Sequence, residues 1–293
     1  MRKTFSRVAQ EIANEDIQTM VLLGDIGVFA FRDSLSQIPN RVFNMGILEQ
    51  SMIGIAAGMA KSGFFPIVHT IAPFLVERAH EQLKVDFGYQ ELPGNFVSVG
   101  ASIDYASLGG THHAPADVET LLGIPGFQIC IPGHPDEFES QLRRYYRNSF
   151  PTYYRLSEYS NSVAHIESTQ TVFKIKEGNN ATIIAVGPYL QRTLDAFATE
   201  SFEVIYINEI SIGTVQELGR LISNGNIFVV EPFYEGTLNR LISESLTGKY
   251  ISIRNIGIPR RFIHKYGSVS ELEDYLGLST LRIRNRVMEQ LLV

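Results

Sequence analysis

The chain has 293 residues, 44% hydrophobic and 19% charged, with a net charge of -6. That length suits about two domains, each with its own core, and the mildly acidic balance, without a large basic cluster, argues against nucleic acid or an anionic membrane as the main partner. The first residues, MRKTFSRVAQEIANEDIQ, alternate at helical spacing with no continuous apolar stretch; this is not the pattern of a signal peptide or membrane span, and a cytoplasmic protein is expected.

After a helix at TFSRVAQEIA, short apolar runs alternate with helical segments. Strands are predicted at TMVLLGDI, RVFNMG, FPIVHTI, NFVSVGAS, FQICIP and TYYRLS. Most are too uniformly apolar to keep one face in water, which is the signature of a parallel sheet covered by crossover helices. The helices between them include the small-residue segment after Glu49, then PFLVERAHEQLKV and PDEFESQLRRYYRN, the last opening with Pro135 and two acids as a helix start should. The single cysteine, Cys130, falls in FQICIP and reads as a small core hydrophobe rather than a nucleophile.

Around residues 158–180 the pattern lapses into polar sequence, read as a boundary with a linker over 161–179. The predicted domains are therefore 1–160 and 180–293. The second resumes the alternation with strands ATIIAVG, FEVIYINE, NIFVVEP and YISIRNIG around helices LQRTLDAFATE, TVQELGRLISNG and LNRLISESLTG. It reads as a smaller open α/β sheet.

Three groups of residues carry chemistry. Glu49 stands where RVFNMG gives way to the helix SMIGIAAGMAKSG, in which Gly54 and Gly58 share a face open to close approach by another backbone. On composition alone, a glutamate that merely suits the helix dipole is the commoner case there. In TIAPFLVERAHEQ, Phe74, Glu77, Arg78 and Glu81 recur at spacings of three and four, which a core phenylalanine with solvated ion pairs would also produce. In the loop IDYASLGGTHHAPADVE, Gly109 and Gly110 precede His112 and His113, a composition suited to a site at the carboxyl edge of a parallel sheet. Adjacent histidines point apart and make no metal pair. There is no zinc spacing, GxSxG elbow or P-loop, and the glycine turns GDIG and LGG are short for a phosphate cradle.

The order of these motifs resembles the transketolase family of thiamine diphosphate enzymes: strand-GD, then GILEQ before a small-residue helix, then TIAPFLVERAHEQ, then GGTH before a helix, and the closing IRNIGIPRRFIHKYGSVSELEDYLGL. The resemblance covers essentially the whole chain. It implies an α/β pyrimidine-binding domain over 1–160, followed by a smaller α/β transketolase C-terminal-like domain.

The resemblance also implies roles. Glu49 falls on the family glutamate that hydrogen-bonds N1′ of the cofactor's aminopyrimidine, so that the 4′-amino group can take the proton from C2 of the thiazolium, chemistry that works best on a desolvated carboxyl. Phe74 matches the aromatic that stacks on the pyrimidine, with Ile71 as an aliphatic second wall and Arg78 also in the cofactor-binding set. Asp25 matches an aspartate near the thiazolium at a subunit interface. His112 matches the histidine that contacts the donor's hydroxyls, and Arg2 and Arg155 are candidates for binding substrate phosphate.

This sequence departs from the family at positions that read the sugar: Leu108 stands for an acid, Gly100 for a histidine and Glu158 for a phosphate-binding arginine. A substrate other than ordinary pentose phosphates is therefore expected. The family's GDG motif, which helps hold the Mg²⁺ that bridges to the diphosphate, does not occur. The expectation is a separate N-terminal-type subunit that holds most of the Mg²⁺ site, in an α2β2 assembly that includes self-association of this chain, with this chain contributing no metal ligand. The implied activity is two-carbon ketol transfer between sugars. A decarboxylating relative, deoxyxylulose-phosphate-synthase-like or 2-oxoacid dehydrogenase E1 beta-like, and a non-catalytic scaffold subunit stay open as alternatives.

Overall fold

The first sheet is built from β1 (Thr19–Leu23), β2 (Val42–Asn44), β3 (Phe65–Ile71), β4 (Gly94–Val99), β5 (Gln128–Cys130) and β6 (Pro151–Arg155), and apart from the edge strand β2 their side chains are buried on both faces. Val21, Leu22, Leu23, Ile67, Val68 and Val97 have no exposed surface, and each such side chain contributes roughly 1.5–3 kcal/mol by leaving water. The computed structural model describes residues 1–167 and 170–291. Ser168 and Thr169, inside the stretch read as a linker, and Leu292 and Val293, at the end of the second predicted domain, lie outside the described residues.

Two units form. The first comprises Met1–Ala101, Asp117–Cys130 and Pro135–Glu158; the second comprises Ser102–Ala116, Ile131–His134 and Tyr159–Val293. In the first, the six strands run in the order β5-β6-β4-β3-β1-β2, and every pair is parallel. Its helices are α1 (Arg2–Glu15), α2 (Arg32–Gln37), α3 (Glu49–Lys61), α4 (His80–Gln82), α5 (Asp117–Leu122) and α6 (Pro135–Tyr145). The helix predicted over PFLVERAHEQLKV differs in detail: the three residues of α4 sit between two widened π-turn stretches, Pro73–Glu77 and Leu83–Tyr89. Spacings of three and four do not distinguish an α turn from a π turn, and such widened turns recur at functional sites.

The parallel register decides where chemistry can gather. Leu23 pairs with both Asn44 and His69, so the strand ends of β1, β2 and β3 are level. Gly24–Asp25 after β1, Met45–Gly46 after β2 and Thr70–Ile71 at the end of β3 share one carboxyl edge, where open α/β sheets place their sites.

The second unit holds β7 (Val172–Lys176), β8 (Thr182–Val186), β9 (Glu203–Ile207), the two-residue β10 (Glu209–Ile210), β11 (Asn226–Tyr234) and β12 (Ser252–Ile258). Its five-stranded sheet has the order β12-β11-β8-β9-β7, parallel except for β7, which runs antiparallel to β9. β7 lies within 161–179, where a linker was predicted. Only five residues of VFKIK alternate there, and their pairing partner is remote in sequence. The helices are α7 (Leu190–Ala196), α8 (Thr214–Leu221), α9 (Asn239–Ser245), α10 (Val269–Leu276) and α11 (Thr280–Leu291). Ser268 caps α10 in a reciprocal capping box with Glu271.

Candidate active site

Glu49 opens α3 and is 1% exposed. The chain reaches it through Gly46, whose φ of 72° lies in the left-handed region that a side chain disfavours. Oε2 of Glu49 accepts a hydrogen bond of 2.7 Å from Nη1 of Arg78, whereas Oε1 is buried with no partner. A buried acceptor without a partner is costly, and in a folded protein it calls for a physical reason. Phe74 lies one turn before Arg78, and the guanidinium carbon stands 4.0 Å from its ring centroid. Arg78 thus joins Glu49 and Phe74 in one cluster. Ile71, at the end of β3, is 6% exposed.

Asp25 adopts a left-handed φ of 59° after β1, a conformation that costs a non-glycine residue energy and needs support. Asn44 supplies it. Oδ1 of Asn44 accepts from the backbone N–H of Asp25 at 3.1 Å and of Gly46 at 3.2 Å, and Nδ2 donates to Oδ1 of Asp25 at 3.1 Å. One side chain thus braces the turns after β1 and β2 together. Asp25 also lines an open cleft of about 390 Å³ with Arg2, Lys3, Ser6 and Gly27. Two cations and the first turn of α1 meet there, a setting that favours an anion.

Below that cleft lies His69, 1% exposed, with Nδ1 2.8 Å from the carbonyl of Val97 and its ring 4.2 Å from that of Phe5. Burial pushes it down to about 4; the Val97 bond opposes the shift and Arg2 adds to it, so it is neutral at physiological pH. Gly27 is pinned over it: a Cβ there would lie 3.2 Å from the imidazole.

Arg155 is buried rather than open to a ligand. It is 1% exposed, and its Nε donates to both oxygens of Asp117, at 3.1 and 2.8 Å. Tyr153 also donates to Asp117, at 2.8 Å. The sequence reading missed Asn44, His69 and Asp117. For Asn44 a signal was available, a polar residue at a strand end just before glycine; the other two depend on which residues the sheet brings together.

His112 belongs to the second unit. It ends the 3₁₀ stretch Ala106–Thr111, its Nδ1 lies 2.9 Å from Oγ1 of Thr111, and its ring meets Tyr105 edge-on. Gly109 makes that loop possible with φ 73°, and a Cβ there would come within 2.5 Å of the Tyr266 ring. The neighbouring His113 is 6% exposed, and burial lowers its pKa. Of the α3 glycines, Gly54 faces Asp86, while Gly58 faces open space beside the half-exposed Ile55.

Residues 1–161 match the family described as transketolase, pyrimidine binding domain. The chain belongs to the transketolase family. Over 278 residues it is 32% identical to an "Uncharacterized 33.6 kDa protein in fasciation locus" of Rhodococcoides fascians, with 93% of this chain and 88% of that protein covered. Over 303 residues it is 25% identical to a subunit of the apulose-4-phosphate transketolase of Phocaeicola vulgatus, covering 98% of this chain and 96% of that one. Its fold matches a solved split gene transketolase, described as an inactive beta4 tetramer, with a TM-score of 0.82 at 22% identity over 99% of this chain and 97% of the other. The transketolase family depends on thiamine diphosphate. The first unit fits that group: a buried carboxylate with one oxygen lacking a partner and an aromatic face are both held by the same guanidinium.

Proposed function

We propose that this chain is the β subunit of a split thiamine diphosphate-dependent transketolase-like enzyme that transfers a two-carbon ketol unit between sugars. The observation that carries the reading is Glu49, buried at the start of α3 with Oε1 lacking a partner. When bound, thiamine diphosphate supplies the carbon nucleophile that carries the two-carbon unit.

This chain's residues do the rest. Glu49 holds a proton between Oε1 and N1′ of the aminopyrimidine, in surroundings from which water is excluded. Phe74 offers its ring face and Ile71 an aliphatic wall. Asp25, braced by Asn44, would hold the thiazolium part of the cofactor. Arg2 and Lys3 draw an anionic group of the substrate into the cleft they line, and His112 donates to a sugar hydroxyl. Arg155, engaged with Asp117, serves the first unit's structure rather than the substrate. The substitutions Gly100, Leu108 and Glu158 favour sugars other than ordinary pentose phosphates.

The partner is a separate subunit that holds most of the Mg²⁺ and the diphosphate, in an α2β2 assembly. The Phocaeicola relative, itself named as one subunit of a transketolase, supports a divided enzyme. Self-association uses the face of α3 on which Leu48, Ile55 and Gly58 are exposed. No helix among the described residues is long and apolar enough to cross a membrane; the proposed place of action is the cytoplasm.

Glu49→Gln tests the reading in the reconstituted complex. It keeps the side chain's shape and removes the acid, and turnover of a ketose donor with an aldose acceptor is expected to fall about 10²–10⁴-fold. Unchanged turnover would make the glutamate structural and the mechanism wrong. Absence of turnover in the wild-type complex would leave a scaffold subunit, and carbon dioxide release from pyruvate would place the chain with the decarboxylating relatives.

A further inference from the structure

We propose that Arg78 is a placeholder for the cofactor's aminopyrimidine: its guanidinium closes the Glu49–Phe74 site in the unloaded chain and must swing out for the cofactor to enter. The inference rests on the functional reading above and adds a gate to it.

The guanidinium occupies the ring face which that reading assigns to the pyrimidine and engages the same carboxylate through its other oxygen. It lies 4.0 Å over the Phe74 ring, and its Nη1 donates to Glu49 Oε2 at 2.7 Å. A planar, delocalised cation with in-plane N–H donors shares its recognition chemistry with a protonated aminopyrimidine: a flat face for stacking and an edge for a carboxylate. Both groups cannot occupy the same face of Phe74 at once.

Exposure shows which group is the movable one. Glu49 is 1% exposed and its Oε1 has no solvent contact, so no ligand reaches that oxygen while the present arrangement holds. The Arg78 side chain is 41% exposed and stands on the open side of the pair. The half-exposed guanidinium keeps much of its hydration wherever it moves, whereas Glu49 is fixed in the first turn of α3, and the entering cofactor replaces the compensation that Arg78 gave the buried carboxylate. Until loading, Arg78 keeps a buried carboxylate compensated; on loading, the cofactor takes its place.

The gate gives a signed prediction. If Arg78 competes with the cofactor, removing it tightens binding; if it grips the cofactor, removing it weakens binding. Thiamine diphosphate with Mg²⁺ is titrated calorimetrically into the complex of this chain with its partner subunit, for wild type, Arg78→Ala and Arg78→Gln. Both variants are expected to bind about 10-fold more tightly, and methylguanidinium is expected to compete with the cofactor in Arg78→Ala but not in wild type. Should Arg78→Ala fold poorly, Arg78→Gln carries the test, since it keeps much of the length and hydrogen-bonding capacity of the side chain. Equal or weaker binding in a folded variant overturns the placeholder and leaves the cofactor assignment standing. Failure of the wild-type complex to bind thiamine diphosphate overturns the functional reading itself.

Discussion

His69 gives the prediction with the clearest magnitude. In the unfolded chain an imidazole takes up its proton near 6.5; in the folded unit burial pushes that value down to about 4. Between these values the unfolded state binds more protons than the folded one, so stability is full above about pH 6.5 and is lost as pH falls toward 4. The difference amounts to about 3 kcal/mol, and because His69 is 1% exposed, solvent screening does not reduce it. The perturbation is His69→Asn, which places an N–H near the position of Nδ1 and can keep the bond to the carbonyl of Val97. The sequence has no tryptophan, so urea unfolding is followed by far-ultraviolet circular dichroism at several values between about pH 4 and 7.5. Wild type is expected to lose about 3 kcal/mol more than the variant over that range. Carboxylates elsewhere titrate alike in both proteins and cancel in the difference. Parallel curves for the two proteins would refute the reasoning, because they would mean that His69 can be protonated without opening the fold.

Arg155→Met separates a structural arginine from a substrate-binding one. Leaving Asp117 buried without its charged partner is expected to destabilise the first unit by about 3–5 kcal/mol in urea titrations, whereas a direct substrate role would raise KM at unchanged stability. Gly109→Ala puts a Cβ against Tyr266 at a left-handed φ and is expected to cost roughly 1–3 kcal/mol. Combining it with Tyr266→Ala is expected to recover the steric part of that loss, and the melting temperature of the double variant checks it.

The first sheet is readable because most of its strands are buried on both faces and therefore appear as apolar runs between helices; the edge strand β2, whose Asn44 is exposed, is the exception. β7 was not, because an edge strand of five residues carries two lysines and sits in polar surroundings. The site divides similarly. Glu49 and Phe74 were singled out by the order of motifs, which records local chemistry. The pairing of Arg78 with Glu49, the bracing of Asp25 by Asn44 and the burial of Arg155 against Asp117 depend on which strand ends come level. No spacing along the chain encodes that register.

β7 also bears on the protein's solubility. A sheet that ends in an open strand offers its unpaired backbone to any other chain with a free edge. Here the terminal strand carries Lys174 and Lys176, the first paired with Glu203 at 2.9 Å and the second held by the carbonyls of Phe197 and Glu200, each at 2.7 Å. Another strand docking along this margin would have to accommodate two anchored positive charges. The feature that hid β7 from a reading of the sequence thus guards the sheet against growing by a further strand.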